Sequence, residues 1–155
     1  MHWFLAPIFA ATLGLSEPNV ADFRPIWRSD DALIAVDLSS RVAEGDLVHA
    51  RYAHYFLREG AGLQRAAWLV EVRGVQLLCR DHMILFGDSV VYDGALTEIG
   101  RFRTPPNDWY ELEDEGVSGL RNAKLHETLC GLGGEASASA GFSDLRAGFR
   151  LISGR

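Results

Sequence analysis

Lysine is almost absent from this chain, and no other cluster of positive charge replaces it. Lys124 is the only lysine among 155 residues, 14 arginines supply the rest of the positive charge, and 21 acidic residues leave a formal net charge of −6. Proteins that bind nucleic acid present clustered positive charge, because contacts with phosphates supply much of their affinity. The composition therefore argues against nucleic acid as a partner.

Apolar runs of membrane-spanning length are also missing. The run from Trp3 to Leu15 covers 13 residues, whereas a helix needs about 20 residues to cross a bilayer. Its length suits the apolar part of a secretion signal. We therefore expect residues 1–21 to be an export signal, cleaved after Ser16 or Ala21, and the protein not to span a membrane. The alternative is a cytosolic protein in which this run forms a core strand.

Cysteine is scarce as well, since Cys79 and Cys130 are the only two. An exported protein folds in an oxidising compartment, where cysteines that meet form a disulfide. A single bridge between the two, from the end of a strand to the end of a helix, is their simplest use. In a cytosolic protein both would be free thiols.

Residues 66–80 carry the clearest strand pattern in the sequence. Trp68, Val70 and Val72 fall on one face of an extended chain, which is the two-residue period of a half-buried strand. After Gly74 the apolar phase shifts, and a glycine inside a strand often marks a bulge. Weaker strand patterns cover residues 21–27, 33–38, 47–57 and 95–102, and residues 82–94 form either a bulged strand or a hairpin that turns at 86–89.

The second half of the chain predicts a helix. Ser118 is a suitable N-cap, apolar residues recur at helical spacing up to Cys130, and Gly131 stands where helices commonly end. Pro105 and Pro106 are expected to close the sheet before it, because proline donates no hydrogen bond to a ladder. We assign residues 22–131 to one α+β domain and residues 132–155 to a Gly/Ala/Ser linker with a short amphipathic tail, which either docks or stays loose.

The order of these landmarks resembles one family of bacterial envelope proteins. AVDLSSRV at residues 35–42 precedes a turn, Cys79 ends a strand, VVYDG follows at residues 90–94, and Trp109 stands ahead of a helix that finishes in Cys130. From about residue 27 to residue 130 this order is similar to the surface-adhesin protein E family. The resemblance implies an antiparallel sheet of about six strands, with a C-terminal helix tethered across one face by a Cys79–Cys130 disulfide.

The same resemblance implies where the protein acts and on what. It indicates a periplasmic or extracellular bacterial protein that recognises a host extracellular protein or an envelope protein, and that can form a homodimer. It places no ligand-binding residue on this sequence, so the binding residues stay unassigned.

No catalytic set is predicted. Gly87, Asp88 and Ser89 resemble the serine turn of one esterase class, in which a later Asp-x-x-His pair supplies the base. In this chain the only such spacing, Asp46 to His49, precedes the serine. We therefore expect a turn here and no enzyme.

Metal and cofactor sites are not predicted either. His49 and His54 differ by an odd number of residues and so face opposite sides of a regular strand. Asp81 and His82 would need a Cys79 thiolate to complete a ligand cluster, and a disulfide removes it. The five carboxylates within residues 108–115 lack the regular spacing of a calcium loop. Acidic residues just ahead of a helix interact favourably with its positive N-terminal end, which accounts for them without a metal.

Two functions follow as hypotheses. The first is a non-enzymatic exported binding domain whose sheet face or edge recognises a protein partner. The alternative is a small-ligand carrier, or a small hydrolase, that uses the space between sheet and helix. Trp68, Leu77 and Leu129 would close that space if all three filled it.

Overall fold

The computed structural model describes residues 21–58, 67–112, 116–131 and 141–153. Residues 1–20 of the predicted export signal and most of the predicted linker lie outside these ranges. The described chain forms an antiparallel sheet and two helices. The elements are β1 (Phe23–Arg28), β2 (Ala32–Glu44), β3 (Leu47–Arg58), β4 (Ala67–Leu78), β5 (Met83–Tyr92), β6 (Glu98–Phe102), β7 (Tyr110–Glu111), α1 (Gly116–Cys130) and α2 (Leu145–Ser153).

The sheet runs up and down in chain order. Strands β1 to β6 lie side by side and each is antiparallel to the next. β6 pairs with residues 89–92 of β5 and β7 pairs with residues 83 and 84, so both lie along the same edge of β5. Short turns between strands of alternating pattern favour this arrangement. The predicted α+β class, an antiparallel sheet of about six strands with a disulfide-tethered helix on one face, is confirmed.

The turn between β2 and β3 also fixes the end of β4. Glu44 pairs with Leu47, which leaves Gly45 and Asp46 as the loop, and Gly45 has a φ of +65° that a residue with a Cβ rarely adopts. The carbonyl oxygen of Asp46 accepts a hydrogen bond from the Cys79 amide at 3.0 Å. This contact holds the first cysteine of the disulfide at the end of β4.

A bulge lies at Gly74, but the extra residue is in β5 and not in β4 as predicted, because β4 pairs with β3 without a break. Arg73 pairs with Ser89 and Val75 pairs with Phe86, so Gly74 lies opposite two residues of β5. A Cβ on Gly87 would lie 3.4 Å from the Gly74 carbonyl oxygen, so the two glycines allow the strands to approach closely. Residues 83–92 are therefore a bulged strand and not a hairpin.

A wider irregularity interrupts β2 around Asp37. Asp37 pairs with Arg51 and Val42 pairs with His49, so residues 38–41 lie opposite a single residue of β3. The buried carboxylate of Asp37 accepts hydrogen bonds from the hydroxyl of Ser39 and from the guanidinium of Arg51, each at 2.6 Å. Burial by itself would raise the pKa of Asp37, but these hydrogen bonds outweigh it and the pKa is lowered.

The two helices cover opposite faces of the sheet. α1 packs on the face that we call the α1 face, where Leu125 and Leu129 are fully buried. Full burial of a leucine side chain contributes about 2 kcal/mol. The disulfide between Cys79 and Cys130 joins α1 to the end of β4. The Nε2 atom of His126 donates to the Cys79 carbonyl oxygen at 3.0 Å, beside this bridge.

The C-terminal tail docks on the other face. Tyr55 is fully buried there, and its hydroxyl donates to the Leu145 carbonyl oxygen at 2.9 Å. A Cβ on Gly148 would overlap the ring of Tyr55, so the absence of a side chain lets α2 lie against it. Ahead of α2, Phe142 forms a backbone bridge with Phe23 of β1. The open question of the tail is thus answered: it packs on the sheet.

Several predicted boundaries were wrong. β2 continues to Glu44 because the chain bulges at Ser39 and Ser40 instead of turning. β6 begins at Glu98 because residues 93–97 form a turn in which Leu96 has a φ of 62°. The chain also returns to the sheet after the prolines, as β7, so Pro105 and Pro106 do not close it. α1 begins at Gly116, ahead of the predicted cap.

Within the described residues, no helix is both long and apolar enough to cross a membrane.

Candidate functional site

The space between α1 and the sheet is closed at one end and open at the other. Leu77 and Leu129 are fully buried under the C-terminal part of α1. Trp68, which was expected to help fill this space, shares the opposite face of β4 with Val70 and Val72 by strand alternation. Two of the three expected residues therefore close the C-terminal end, and the N-terminal end of α1 borders a cleft.

The β5 bulge positions an arginine at this cleft. The Nε atom of Arg73 donates to the Gly87 carbonyl oxygen at 3.2 Å, and its Nη2 atom donates to the Thr104 hydroxyl oxygen at 3.2 Å. The Thr104 hydroxyl in turn donates to the Gly87 carbonyl oxygen at 2.8 Å. The bulge exposes the Gly87 carbonyl to the side chains of Arg73 and Thr104. This carbonyl therefore fixes the guanidinium of Arg73 on the α1 face.

A second arginine approaches from the helix. The guanidinium carbon of Arg121 lies 4.7 Å from the centre of the Phe86 ring, and that of Arg73 lies 5.2 Å from it. A cation near the face of an aromatic ring is attracted by the ring's electrons. The Nε atom of Arg121 also donates to the side-chain oxygen of Asn122 at 3.0 Å. Phe86 thus brings two positive charges together.

The cleft around these groups, which we call the arginine cleft, has a volume of about 360 Å³. Small-molecule sites in proteins have volumes of about 300 to 1,000 Å³. The sheet side of the lining consists of Arg73, Phe86, Thr104, Tyr110 and Glu111, and α1 contributes Ser118, Gly119, Arg121 and Asn122.

Two buried hydroxyls flank Arg73. Tyr52 of β3 and Ser89 of β5 are its direct cross-strand partners, so the three side chains form one row on the α1 face. Ser89 is 2% exposed, and its hydroxyl has no hydrogen-bond partner within the part of the chain that the structure describes. Tyr52 is fully buried, and its hydroxyl interacts with the guanidinium of Arg73. Buried polar groups are nearly always paired, so an unpaired one indicates a water or a ligand. Burial raises the pKa of Tyr52, so its hydroxyl keeps its proton.

An apolar groove lies on the part of the α1 face that α1 leaves uncovered. We call it the open groove; its volume is about 480 Å³ and it lies across β3, β4, β5 and β6. Ile99 is 53% exposed and Phe102 is 58% exposed at its outer edge. The lining residues are Phe56, Arg58, Leu69, Glu71, Val91, Ile99, Gly100 and Phe102.

The serine considered as a nucleophile lies inside the sheet. Ser89 is in β5, next to the bulge formed by Gly87 and Asp88. Its hydroxyl oxygen has no hydrogen-bond partner among the described residues. The carboxylate of Asp88 accepts a hydrogen bond from the Thr104 amide instead, at 3.1 Å.

The histidines and acids considered as metal ligands are spread over the structure. His49 and His54 are on opposite faces of β3 by alternation, and burial followed by the charge of Arg121 lowers the pKa of His54. His82 and His126 stack with ring centres 4.7 Å apart, beside the disulfide. Among the described residues, no group of three or more His, Cys, Asp and Glu side chains could hold a metal ion.

The acidic run is only partly described. Asp108 accepts a hydrogen bond from the hydroxyl of Tyr110, which lies in β7 at the edge of the sheet and is 47% exposed. Glu111 lines the arginine cleft. Residues 113–115 of the run lie outside the described residues.

In the comparisons with known proteins, no family model, no curated protein and no solved structure matches the chain. The resemblance to the surface-adhesin protein E family therefore stays a prediction from the sequence.

The sequence reasoning missed the residues of the arginine cleft. Arg73 stands next to Gly74, on the same strand face as Val75 and Leu77, and a charged residue on an apolar face is a usable signal. Tyr52 gave the same signal in β3. Arg121 gave no signal in the sequence, because its position at the cleft depends on how α1 lies on the sheet.

Proposed function

We propose that this protein is a non-enzymatic exported bacterial domain that binds a protein partner through the open groove. The observation that carries the proposal is the exposure of Ile99 and Phe102, each more than half exposed, beside the buried Leu69. Contiguous exposed apolar side chains commonly mark protein interaction sites. The resemblance of the sequence to the surface-adhesin protein E family suggests a host extracellular or envelope protein as the partner.

The exposed apolar side chains concentrate at one edge of the sheet. Of the six large hydrophobic residues that are exposed among the described residues, Ile99, Phe102 and Tyr110 belong to β6 and β7. Arg58 and Glu71 add one charge of each sign to the groove. A fitting partner therefore inserts an apolar side chain at the centre and carries polar or charged groups around it, which is the usual anatomy of a protein interface.

The disulfide supports the exported part of the proposal. Cys79 and Cys130 are bonded, and such bridges persist mainly in oxidising compartments such as the bacterial periplasm or the cell exterior.

Site-specific cross-linking tests the proposed surface. A photoreactive benzoylphenylalanine replaces Phe102 in one variant and Val42 in the control variant. Val42 is a matched control because it is 52% exposed but lies in β2, which does not line the open groove. Both proteins are expressed in the source cells and irradiated in place. We expect one defined cross-linked protein from position 102 and not from position 42, and we expect Leu69→Asp to abolish it. Equal cross-linking from both positions would contradict the proposal, and a product of twice the chain mass would indicate self-association instead.

Binding of a small ligand is the second candidate function. The arginine cleft favours it, because a volume of about 360 Å³ lined by two guanidinium groups has the size and polarity of a ligand site, and the unpaired buried hydroxyl of Ser89 lies next to Arg73. Saturable shifts of the NMR resonances of these residues on addition of a ligand would support this candidate.

A further inference from the structure

We propose that the arginine cleft binds a small organic carboxylate, held between the guanidinium groups of Arg73 and Arg121. The inference names the ligand class for the second candidate function and rests on it. It does not depend on the protein partner proposed for the open groove.

The two guanidinium groups keep donors available for a ligand. The hydrogen bonds of Arg73 use its Nε and Nη2 atoms, and that of Arg121 uses its Nε atom. In the described part of the chain, Arg121 forms no ion pair with a carboxylate. Arginine presents planar pairs of N–H groups that match the two oxygens of a carboxylate. One Nη atom of Arg73 and both Nη atoms of Arg121 can therefore serve as donors.

A buried hydroxyl supplies the second, independent observation. Ser89 is the cross-strand partner of Arg73 and is 2% exposed, and its hydroxyl lacks a hydrogen-bond partner among the described residues. A hydroxyl of this kind is a strong donor to an anionic oxygen. Ser89 does not belong to the lining of the cleft, so a carboxylate seated on Arg73 satisfies this hydroxyl through a water.

The charges around the cleft favour a singly charged anion over a dianion. Glu71 lies 3.8 Å from the Nε atom of Arg73, and Glu111 belongs to the lining of the cleft. These two carboxylates reduce the positive charge of the site without abolishing it, because only Glu111 lines the cleft, so a phosphate dianion meets more repulsion than a monocarboxylate does. The ring of Phe86 offers an apolar surface to the rest of the ligand. The fitting ligand is thus a monocarboxylate with a small apolar group.

An NMR titration of the isotopically labelled protein tests the inference. Sodium benzoate, sodium phosphate and neutral benzamide are added separately at constant ionic strength, and the Nε–H signals of Arg73 and Arg121 are followed. We expect benzoate to give saturable shifts of both signals, with an affinity at least tenfold above that for phosphate and benzamide. Arg121→Gln should weaken benzoate binding at least tenfold and Ser89→Ala several-fold. Arg101→Gln, at an exposed arginine paired with Glu98 on β6, should leave it unchanged.

Each other result has a defined meaning. Absence of saturable shifts with all three probes, in a protein whose circular dichroism shows it folded, would overturn both the inference and the second candidate function. Benzamide binding as tightly as benzoate would keep the ligand site and overturn the carboxylate class, as would tighter binding of phosphate. An equal loss in Arg101→Gln would show attraction to general positive charge and contradict the inference. If Arg121→Gln fails to fold, Ser89→Ala decides between the outcomes, because it removes only one oxygen.

Discussion

Replacing Gly148 by alanine is expected to destabilise the protein, although alanine is the better helix former. Gly148 lies in the middle of α2, and a Cβ there would overlap the ring carbon and hydroxyl oxygen of Tyr55. The Tyr55 side chain is fully buried and its hydroxyl is bonded to the Leu145 carbonyl, so the ring has no free space to enter. The added methyl group must therefore lift α2 from the sheet or distort the core.

The expected net loss is about 2 kcal/mol in the free energy of unfolding. Overpacking of a tight core costs about 3 kcal/mol. Replacing glycine by alanine inside a helix returns about 1 kcal/mol. Urea unfolding followed by circular dichroism measures the difference. Arg146→Ala is the matched control, because Arg146 is exposed on the same helix and its loss should change the stability by less than about 0.5 kcal/mol.

A double-mutant cycle identifies the cause. In Gly148→Ala combined with Tyr55→Leu, the shorter side chain leaves room for the methyl group, so the double variant should be more stable than the sum of the two single losses predicts. If Gly148→Ala were as stable as the wild type, or more stable, α2 would not pack against Tyr55 and the described docking of the tail would be wrong.

Three further predictions concern the scaffold. Asp37→Asn should lower the free energy of unfolding by about 2 kcal/mol at pH 7, because the amide loses the charged bond to Arg51. The pKa of Asp37 is lowered in the folded protein, so the stability that its charge adds to the wild type should be complete above about pH 4, the pKa of an unfolded aspartate, and should vanish as the pH falls further. A difference in unfolding free energy between wild type and variant that stays constant with pH in urea melts would contradict this. Replacing Cys79 and Cys130 by serine should cost about 4 kcal/mol, the chain-entropy value for a separation of 51 residues, and an unchanged melting temperature would refute it. Gly45→Ala should cost about 1 kcal/mol by the same melts, because its φ of +65° strains a residue with a Cβ; a neutral effect would count against this turn.

Local patterns were enough to predict the strands. Val70 and Val72 repeat every second residue, and the apolar phase shifts after Gly74 because the first half of β4 is buried on the α2 side and Val75 and Leu77 are buried on the α1 face. Such signals depend on near neighbours in the chain, so they survive without knowledge of the fold. The bridge between Cys79 and Cys130 was accessible for a different reason, since only one pairing exists.

Long-range contacts explain what the sequence did not reveal. Ser39 and Ser40 have turn chemistry, but their side chains bond to Asp37, and β2 continues because Arg51 of β3 completes that network. Gly148 weakens the helical pattern of the tail, yet it is the residue that lets α2 meet Tyr55. In both cases a distant partner decides the structure.

The arginine cleft could not be predicted for the same reason. Tyr52, Arg73 and Ser89 become neighbours only through the register of three strands, and Arg121 joins them only when α1 lies across the sheet. No spacing along the chain contains this information.

Intact-mass measurement tests most directly whether this is an exported, disulfide-bridged domain. The protein is taken from separated fractions of its source cells and measured with and without reductant and thiol alkylation. We expect a chain cleaved after Ser16 or Ala21, found outside the cytoplasm, in which Cys79 and Cys130 accept the alkylating reagent only after reduction. A full-length cytoplasmic chain with both thiols alkylated without reductant would contradict the proposed export and the role in the cell envelope.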